Sequence, residues 1–212
     1  MQEFVISDLE VWRGDHRVCA DWSARIEAGQ MLQLRGANGA GKTSLMRVFA
    51  GLGAPENGSL RYGAEGWTPQ SMRYRECLRY VAHRDGIKQE LGARENLRLA
   101  ARLLADSSPD EVEDALRQVG LGALGGRRAA ELSAGQRRRL ALARLLLGHA
   151  GLWLLDEPLV GLDHDGVGLV AELLRRHLAD GGIAIIATHQ TLPLSGLMVQ
   201  TVDLPQTVPD VH

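Results

Sequence analysis

Apolar residues recur at two different periods along the chain, and the places where the period changes mark its elements. Residues 3–12 and 16–26 alternate, with Phe4 and Ile6, then Val18, Ala20 and Trp22, then Ala24 and Ile26 set on one side of an extended backbone. Arg13-Gly14-Asp15 separates these two strands, Glu27-Ala28-Gly29 turns the chain, and the apolar run at 31–34 reads as a buried strand. Leu45, Val48, Phe49 and Leu52 follow at i, i+3, i+4 and i+7, which predicts a helix. Residues 54–58 form a turn, 59–62 a short strand and 63–77 a polar irregular stretch; 78–82 is a buried strand ending at His83.

From Leu91 the texture becomes helical. Residues 93–105 place Leu97, Ala100, Ala101 and Leu104 on one face. Ser108-Pro109-Asp110-Glu111 opens a second helix, with Ser at the N-cap, Pro at N1 and Glu at N3; it carries Val112, Ala115, Leu116 and Val119 until Gly120. A Gly- and Arg-rich loop covers 120–129. A third helix is expected from Leu132-Ser133-Ala134-Gly135-Gln136 through Leu140, Ala143 and Leu147 to Gly148. Residues 91–130 are thus an all-helical insert in a chain that otherwise alternates β and α. The strand at 152–155 is followed by a helix carrying Val167, Val170, Ala171, Leu174 and Leu178, which Gly181-Gly182 stops. A strand at 183–187, a weak strand at 201–204 and the prolines Pro193, Pro205 and Pro209 complete the pattern.

Between the strand at 31–34 and the helix after it lies Gly36-Ala37-Asn38-Gly39-Ala40-Gly41-Lys42-Thr43, which fits G-x-x-x-x-G-K-[ST] in a strand–loop–helix setting. Glycines let a backbone wrap close to a polyphosphate, where a Cβ would block the approach. The free N–H groups of the loop and of the helix start, Ser44 included, then face the anion with the helix dipole behind them. Lys42 supplies a mobile positive charge to the β- and γ-phosphates, and the Thr43 hydroxyl a ligand for Mg²⁺. With only two lysines in the chain, Lys42 and Lys88, a chance match is a poor explanation.

Asp156 and Glu157 close the strand at 152–155, and in an open parallel sheet ligands lie beyond the carboxyl ends of the strands. Alone the pair reads as an ordinary turn. Downstream of a phosphate loop, Asp156 reads as the holder of Mg²⁺ through water, and Glu157 as the group that polarises or deprotonates the water attacking the γ-phosphate. Ser133 and Gln136 have capping-box spacing. Their stretch is either a well-capped helix start and no more, or a second anion-ready end that grips a phosphate held by another chain.

Composition narrows the partners more than the fold. A length of 212 residues allows one substantial core, or one core plus a small subdomain. A net charge of −2 argues against nucleic acid or anionic lipid as a bulk electrostatic partner. Cys19 and Cys77 form no C-x-x-C pair and read as small buried apolar residues of a protein in a reducing compartment. The start Met-Gln-Glu-Phe shows no signal segment, and no run of about 18 apolar residues occurs, so a cytoplasmic location is expected.

Taken in order, the loop at 36–43, Leu132-Ser133-Ala134-Gly135-Gln136, the strand ending in Asp156-Glu157, and His189 resemble the ATP-binding subunits of ABC transporters over essentially the whole chain. The resemblance implies an α/β fold in a single ABC ATPase domain, 1–212. Its phosphate-loop (RecA-like) ATPase core with an antiparallel β subdomain would take 1–90 and 150–212. An inserted α-helical subdomain with the signature stretch, facing a membrane subunit, would take 91–149. ATP and Mg²⁺ are the implied cofactors, with a Walker A loop at 36–43, a Walker B strand at 152–156, a catalytic glutamate at Glu157, a D-loop at Gly161-Leu162-Asp163 and a γ-phosphate switch at His189. Ser133, Gly135 and Gln136 would then meet ATP bound to a second copy, two ATPs being sandwiched in a head-to-tail dimer. The family's adenine-stacking aromatic falls near Trp12, with Arg13 an equal alternative.

The glutamine that the family carries eight residues before Leu91 is His83 here. A neutral imidazole offers one donor and one acceptor, as an amide does, so His83 is expected to couple the nucleotide, or its Mg²⁺, to the membrane subunit. His83-Arg84-Asp85-Gly86-Ile87-Lys88, Ala93-Arg94-Glu95-Asn96-Leu97, Thr188-His189-Gln190 and the compact length are similar to the haem-exporter ATPases of cytochrome c maturation. Leu159-Val160 departs from the Phe-Thr that this group often carries after Glu-Pro. The likeness implies membrane permease subunits of a cytochrome c maturation complex as partners and, indirectly, a haem chaperone whose loaded form the ATP cycle releases. It also implies a peripheral place on the cytoplasmic face of the bacterial inner membrane. Competing readings are the ATPase of another ABC transporter, a soluble small-molecule kinase, an ABC ATPase acting on DNA or ribosomes, and a weakly hydrolysing nucleotide-dependent scaffold. The kinase leaves Ser133–Gln136, Glu157 and His189 unexplained together. For the DNA or ribosome reading the chain lacks long coiled coils, tandem cassettes and a basic stripe.

Overall fold

The computed structural model describes residues 2–104, 107–193 and 196–204. Ala105, Pro205, Pro209 and the side chain of Leu104, all used in the sequence reading, lie outside the described residues. The chain opens with β1 (Glu3–Arg13), β2 (His16–Glu27) and β3 (Gln30–Arg35), then α1 (Lys42–Phe49), β4 (Asn57–Tyr62), α2 (Met72–Cys77) and β5 (Leu78–Val81). Three helices follow, α3 (Ala93–Leu104), α4 (Pro109–Gln118) and α5 (Ala134–Ala143), before β6 (Leu152–Asp156), α6 (His164–Ala179), β7 (Ile183–Ala187) and β8 (Met198–Asp203).

The strands form two sheets. One is antiparallel, in the order β2-β1-β4; the other is parallel, in the order β5-β6-β7-β3-β8. The parallel sheet is covered on both faces, so its inner strands are apolar throughout. Leu152 and Leu154 of β6 face α1 and the antiparallel sheet, while Trp153 and Leu155 face α6 and the end of α5. In β1 the buried positions change from Phe4 and Ile6 to Leu9 and Val11 across a register shift. Asp8, at φ 47°, absorbs the extra residue, and Ser23 Oγ accepts its N–H at 2.8 Å. The bulge thus keeps the apolar side of the strand on the core. A third core, with Leu97, Val112, Leu116 and Leu140, joins α3, α4 and α5. The expected capping box at Ser108 and Glu111 is present at the start of α4.

The order of the parallel strands sets up the rest. β5, β6, β7 and β3 are immediate neighbours, and at their carboxyl ends stand His83, Asp156-Glu157, Thr188-His189 and the loop from Gly36. Stretches far apart in sequence therefore meet along one edge of one sheet.

Four expectations need correction. α1 ends at Phe49, and Leu52 is 60% exposed, because Gly51 at φ +70° reverses the chain: Leu52 N–H donates to Arg47 O and Gly51 N–H to Val48 O. The stretch 63–77 contains α2, a helix too short to show a period, capped by Ser71 and anchored by the Tyr74 hydroxyl donating to Phe49 O at 2.5 Å. α5 stops at Ala143 and a 3₁₀ turn takes over at Arg144–Leu146, with the Leu147 carbonyl accepting from the Arg79 guanidinium. Cys19 and Cys77 are free and half-buried rather than fully buried, and burial raises both thiols. Among the described residues no helix is long and apolar enough to cross a membrane.

His177, in the last turn of α6, stacks on Trp153 with ring centroids 3.9 Å apart and donates from Nε2 to Ile183 O at 3.0 Å. Burial, helped by nearby His149, pushes its pKa from 6.5 down to about 4. The unfolded chain therefore binds more protons between those values, and stability falls as pH drops through the window. The expected loss is about 3 kcal/mol from pH 6.5 to 4. Denaturant titrations of the native chain and of His177→Gln check it: the variant should show a flatter pH dependence.

Candidate nucleotide site

The loop between β3 and α1 is built to leave donors free. α1 begins at Lys42 with Gly41 at its N-cap, and no side chain caps its first turn and no acidic residue sits in it. The N–H groups there are open to an anion. Gly41 adopts φ +93°, and a Cβ on it would strike the Val18 side chain, so the loop needs glycine twice over. The Lys42 ammonium donates to Gly36 O at 2.8 Å and Ala37 O at 3.2 Å, spanning the loop from inside. Beside it lies a cavity of about 410 Å³ lined by Arg13, Asn38, Gly39, Gly41, Lys42, Thr43, Ser44, Arg47, His83 and Glu157. Arg13, Lys42 and Arg47 give it a cationic wall suited to a polyphosphate.

The carboxylates stand at the end of β6. Glu157 is nearly buried; its Oε1 lies 3.6 Å from Lys42 Nζ, and both its oxygens lie 3.1 Å from His189 Nδ1. Its backbone is left-handed, φ +47°, and its N–H donates to Ala187 O at 2.7 Å. Asp156 is fully buried, and neither carboxylate oxygen has a hydrogen-bond partner among the described residues. Burial raises its pKa, with the Thr43 hydroxyl and His83 pulling the other way and Glu157 adding to the rise. Thr188, also buried, keeps the β7 end in register through its N–H to Leu34 O.

Ser133, Gly135, Gln136 and Asp163 do not line this cavity and form a separate group. Ser133 Oγ accepts from Gln136 N–H at 3.1 Å, and Gln136 Oε1 accepts from Ser133 N–H at 3.0 Å. A Cβ on Gly135 would lie 2.9 Å from Gly161 O, and Asp163, the N-cap of α6, pairs with Arg139 at 2.7 Å. Gly36, Ala37 and Ala40 are outside the cavity wall: the first two offer carbonyls to Lys42, and Ala40 N–H donates to Ala37 O at 3.2 Å. Trp12 is 45% exposed, bonds Glu10 through its indole N–H and is not part of the cavity wall, whereas Arg13 is. Two residues went unread in the sequence. Arg47 stands four residues beyond Thr43, on the same helix face. Arg138 sits within the run 137–139, where three successive arginines look like a solvated surface.

A phosphate loop after β3, a histidine at the end of the adjacent β7, paired carboxylates at the end of β6 beyond it and a separate capped helix start together have the layout of an ABC-type ATPase. The chain belongs to the ABC transporter family, which matches residues 19–160, and it is an ATP-binding enzyme of that family. It is 41% identical over 193 residues to the cytochrome c biogenesis ATP-binding export protein CcmA of Nitrosomonas europaea, covering 91% of each chain. The CcmA protein of Rhodobacter capsulatus is 46% identical over 195 residues, which are 92% of this chain and 85% of that one. The structure of an ATP-binding subunit of an ABC transporter superposes with a TM-score of 0.83 at 25% identity, covering 95% of this chain and 85% of the other. An ATP-binding protein of Pyrococcus furiosus from the same family gives 0.82 at 28% identity, covering 95% and 97%.

Asp156→Asn removes a buried charge at nearly constant shape. In nucleotide-free protein with chelator present, it is expected to raise the melting temperature by about 2–4 °C for each kcal/mol of relieved desolvation. Scanning calorimetry decides; an unchanged or lower melting temperature contradicts the assignment of a costly, unanswered carboxylate.

Proposed function

We propose that this chain is the ATP-hydrolysing motor subunit of a membrane-bound cytochrome c maturation complex. It would act as a pair of copies, peripheral to the cytoplasmic face of a bacterial inner membrane. The similarity to export proteins named for cytochrome c biogenesis, over nine-tenths of the chain, supports the setting. The observation that carries the mechanism is the division of the site into two halves. Glu157, His189 and the loop at 36–43 meet at one sheet edge, while the Ser133 helix start stands apart from that cavity.

The loop N–H groups, Lys42 and Ser44 bind the triphosphate, with Asn38, Gly39 and Gly41 allowing the close approach. Arg13, rather than Trp12, is the cavity residue nearest to the adenine role implied by the family. The buried Asp156 oxygens and the solvent-facing Thr43 hydroxyl are hard oxygen donors, and they fit Mg²⁺. When bound, that ion neutralises charge on the β- and γ-phosphates. Glu157 takes a proton from the water that attacks the γ-phosphorus as the bond to the β-phosphate oxygen breaks. His189 holds both Glu157 oxygens from one side and Lys42 from the other, so the carboxylate is aimed before the water arrives. Ser133, Gly135 and Gln136 of one copy close over the ATP of the second, and Asp163 and Arg139 brace that end. His83 reports the state of the nucleotide to permease subunits, and the cycle serves the release of a haem-loaded chaperone. Haem is cargo, handled outside this chain. The net charge of −2 supports a partner other than nucleic acid.

Glu157→Gln should retain ATP, lose turnover by about 10²–10⁴-fold and accumulate as an ATP-bound dimer in light scattering. Turnover at the native rate would favour the scaffold instead. In the complex that co-purifies with the chain, His83→Ala should uncouple ATPase activity from the membrane subunits while His83→Gln preserves coupling. Unchanged coupling in both removes His83 from that role.

A further inference from the structure

Arg138 lies on α5, a little over one turn from Ser133, and its side chain is 3% exposed. A guanidinium carries five N–H donors in a fixed fork, and in Arg138 all five are used. Nε donates to Pro158 O at 3.2 Å, and Nη2 donates to Asp156 O at 2.9 Å and Glu157 O at 2.8 Å. Nη1 donates to Ala82 O at 2.9 Å and to Asp85 Oδ1 at 2.8 Å. One side of the fork therefore holds three successive carbonyls at the end of β6, and the other holds the two residues that flank His83-Arg84. Asp85 is tied in again through its own carbonyl, which accepts from Arg144.

This placement bears on Glu157. A left-handed backbone costs a residue with a Cβ about 1–2 kcal/mol, and such a conformation persists where surrounding bonds determine it. Glu157 has three: its N–H goes to Ala187 O, and its carbonyl accepts from Arg138 at 2.8 Å and, less closely, from Val160 N–H at 3.3 Å. The β7 end and α5 thus pin the peptide groups on either side of its Cα, which sets the direction in which the carboxylate leaves the backbone toward Lys42 and His189.

We infer that Arg138 is a positioning residue for hydrolysis. Its guanidinium makes the Ser133 helix, the Glu157 backbone and the segment bearing His83 shift as one unit, so that closure of the helix on ATP aims the carboxylate. The inference rests on the reading of Glu157 as the catalytic base. Lysine in its place keeps charge and stem but cannot bond both sides at once.

The test measures, in the purified full-length chain, ATP bound per chain, KM, and kcat per ATP-competent site for Arg138→Lys, Arg138→Gln, Asp85→Asn and Glu157→Gln. Both Arg138 variants are expected to bind ATP with native stoichiometry and KM, while kcat per competent site falls by about 10- to 100-fold, the scale of a small misplacement of a catalytic group. A merely structural arginine would instead lower the competent fraction and leave kcat per competent site unchanged. Asp85→Asn, which weakens only one side of the fork, keeps the test decisive if the Arg138 variants fail to fold; it should lower kcat about threefold or more with KM unchanged. Native kcat per competent site in the folded Arg138 variants, or in Asp85→Asn if they do not fold, overturns the inference when Glu157→Gln is inactive. Native turnover in Glu157→Gln overturns the underlying reading as well.

Discussion

A carboxylate taken out of water costs several kcal/mol unless something answers its charge, and β6 delivers two in succession at a strand end where every preceding side chain is buried. The two are answered differently. Glu157 is met inside the protein, by Lys42 on one side and His189 on the other. Asp156 has no ion-pair partner among the described residues, and burial raises its pKa although Thr43 and His83 offset part of the rise. The asymmetry is the basis of the roles proposed above: an acid held by Lys42 and His189 suits a base, and a buried acid without an ion-pair partner suits a cation ligand.

Strand order makes the asymmetry usable. Because β5, β6, β7 and β3 lie side by side, each carboxyl end contributes one group without any long loop having to reach inward. The glycine loop, the acids, the histidine and the His83 segment are therefore mounted on a sheet packed on both faces, which holds geometry better than loops on loops. The helical third core stands on the other side of this arrangement and joins it through α5, which belongs to both the helical core and the core behind the sheet.

Much of this was legible in the sequence, and the reasons differ by residue. The loop at 36–43 could be read because Gly36, Gly41, Lys42 and Thr43 stand at positions of the pattern that admit few other residues, between a strand and a helix. The strands at 152–156 and 183–187 could be read because burial on both faces demands continuous apolar runs. Leu52 misled because periodicity sees no helix end, and only the geometry of Gly51 shows the chain turning away. The helix around Tyr74 escaped because six residues hold less than two turns of pattern. Trp12 drew attention as an aromatic, yet β1 points it outward while its neighbour Arg13 faces the cavity. Arg138 was invisible for the opposite reason. Its partners are backbone carbonyls, which have no letter in a sequence.

Ala134 and Gly135 stand side by side at the start of α5, and written as letters they look interchangeable. In space they are not. Ala134 is exposed, and even a Cβ placed on Gly161 would come only to 3.9 Å from its methyl. The same methyl on Gly135 would press to 2.9 Å of the Gly161 carbonyl. Within one chain, therefore, a side chain has room at the first position and is excluded at the second, where one carbon atom meets a backbone carbonyl.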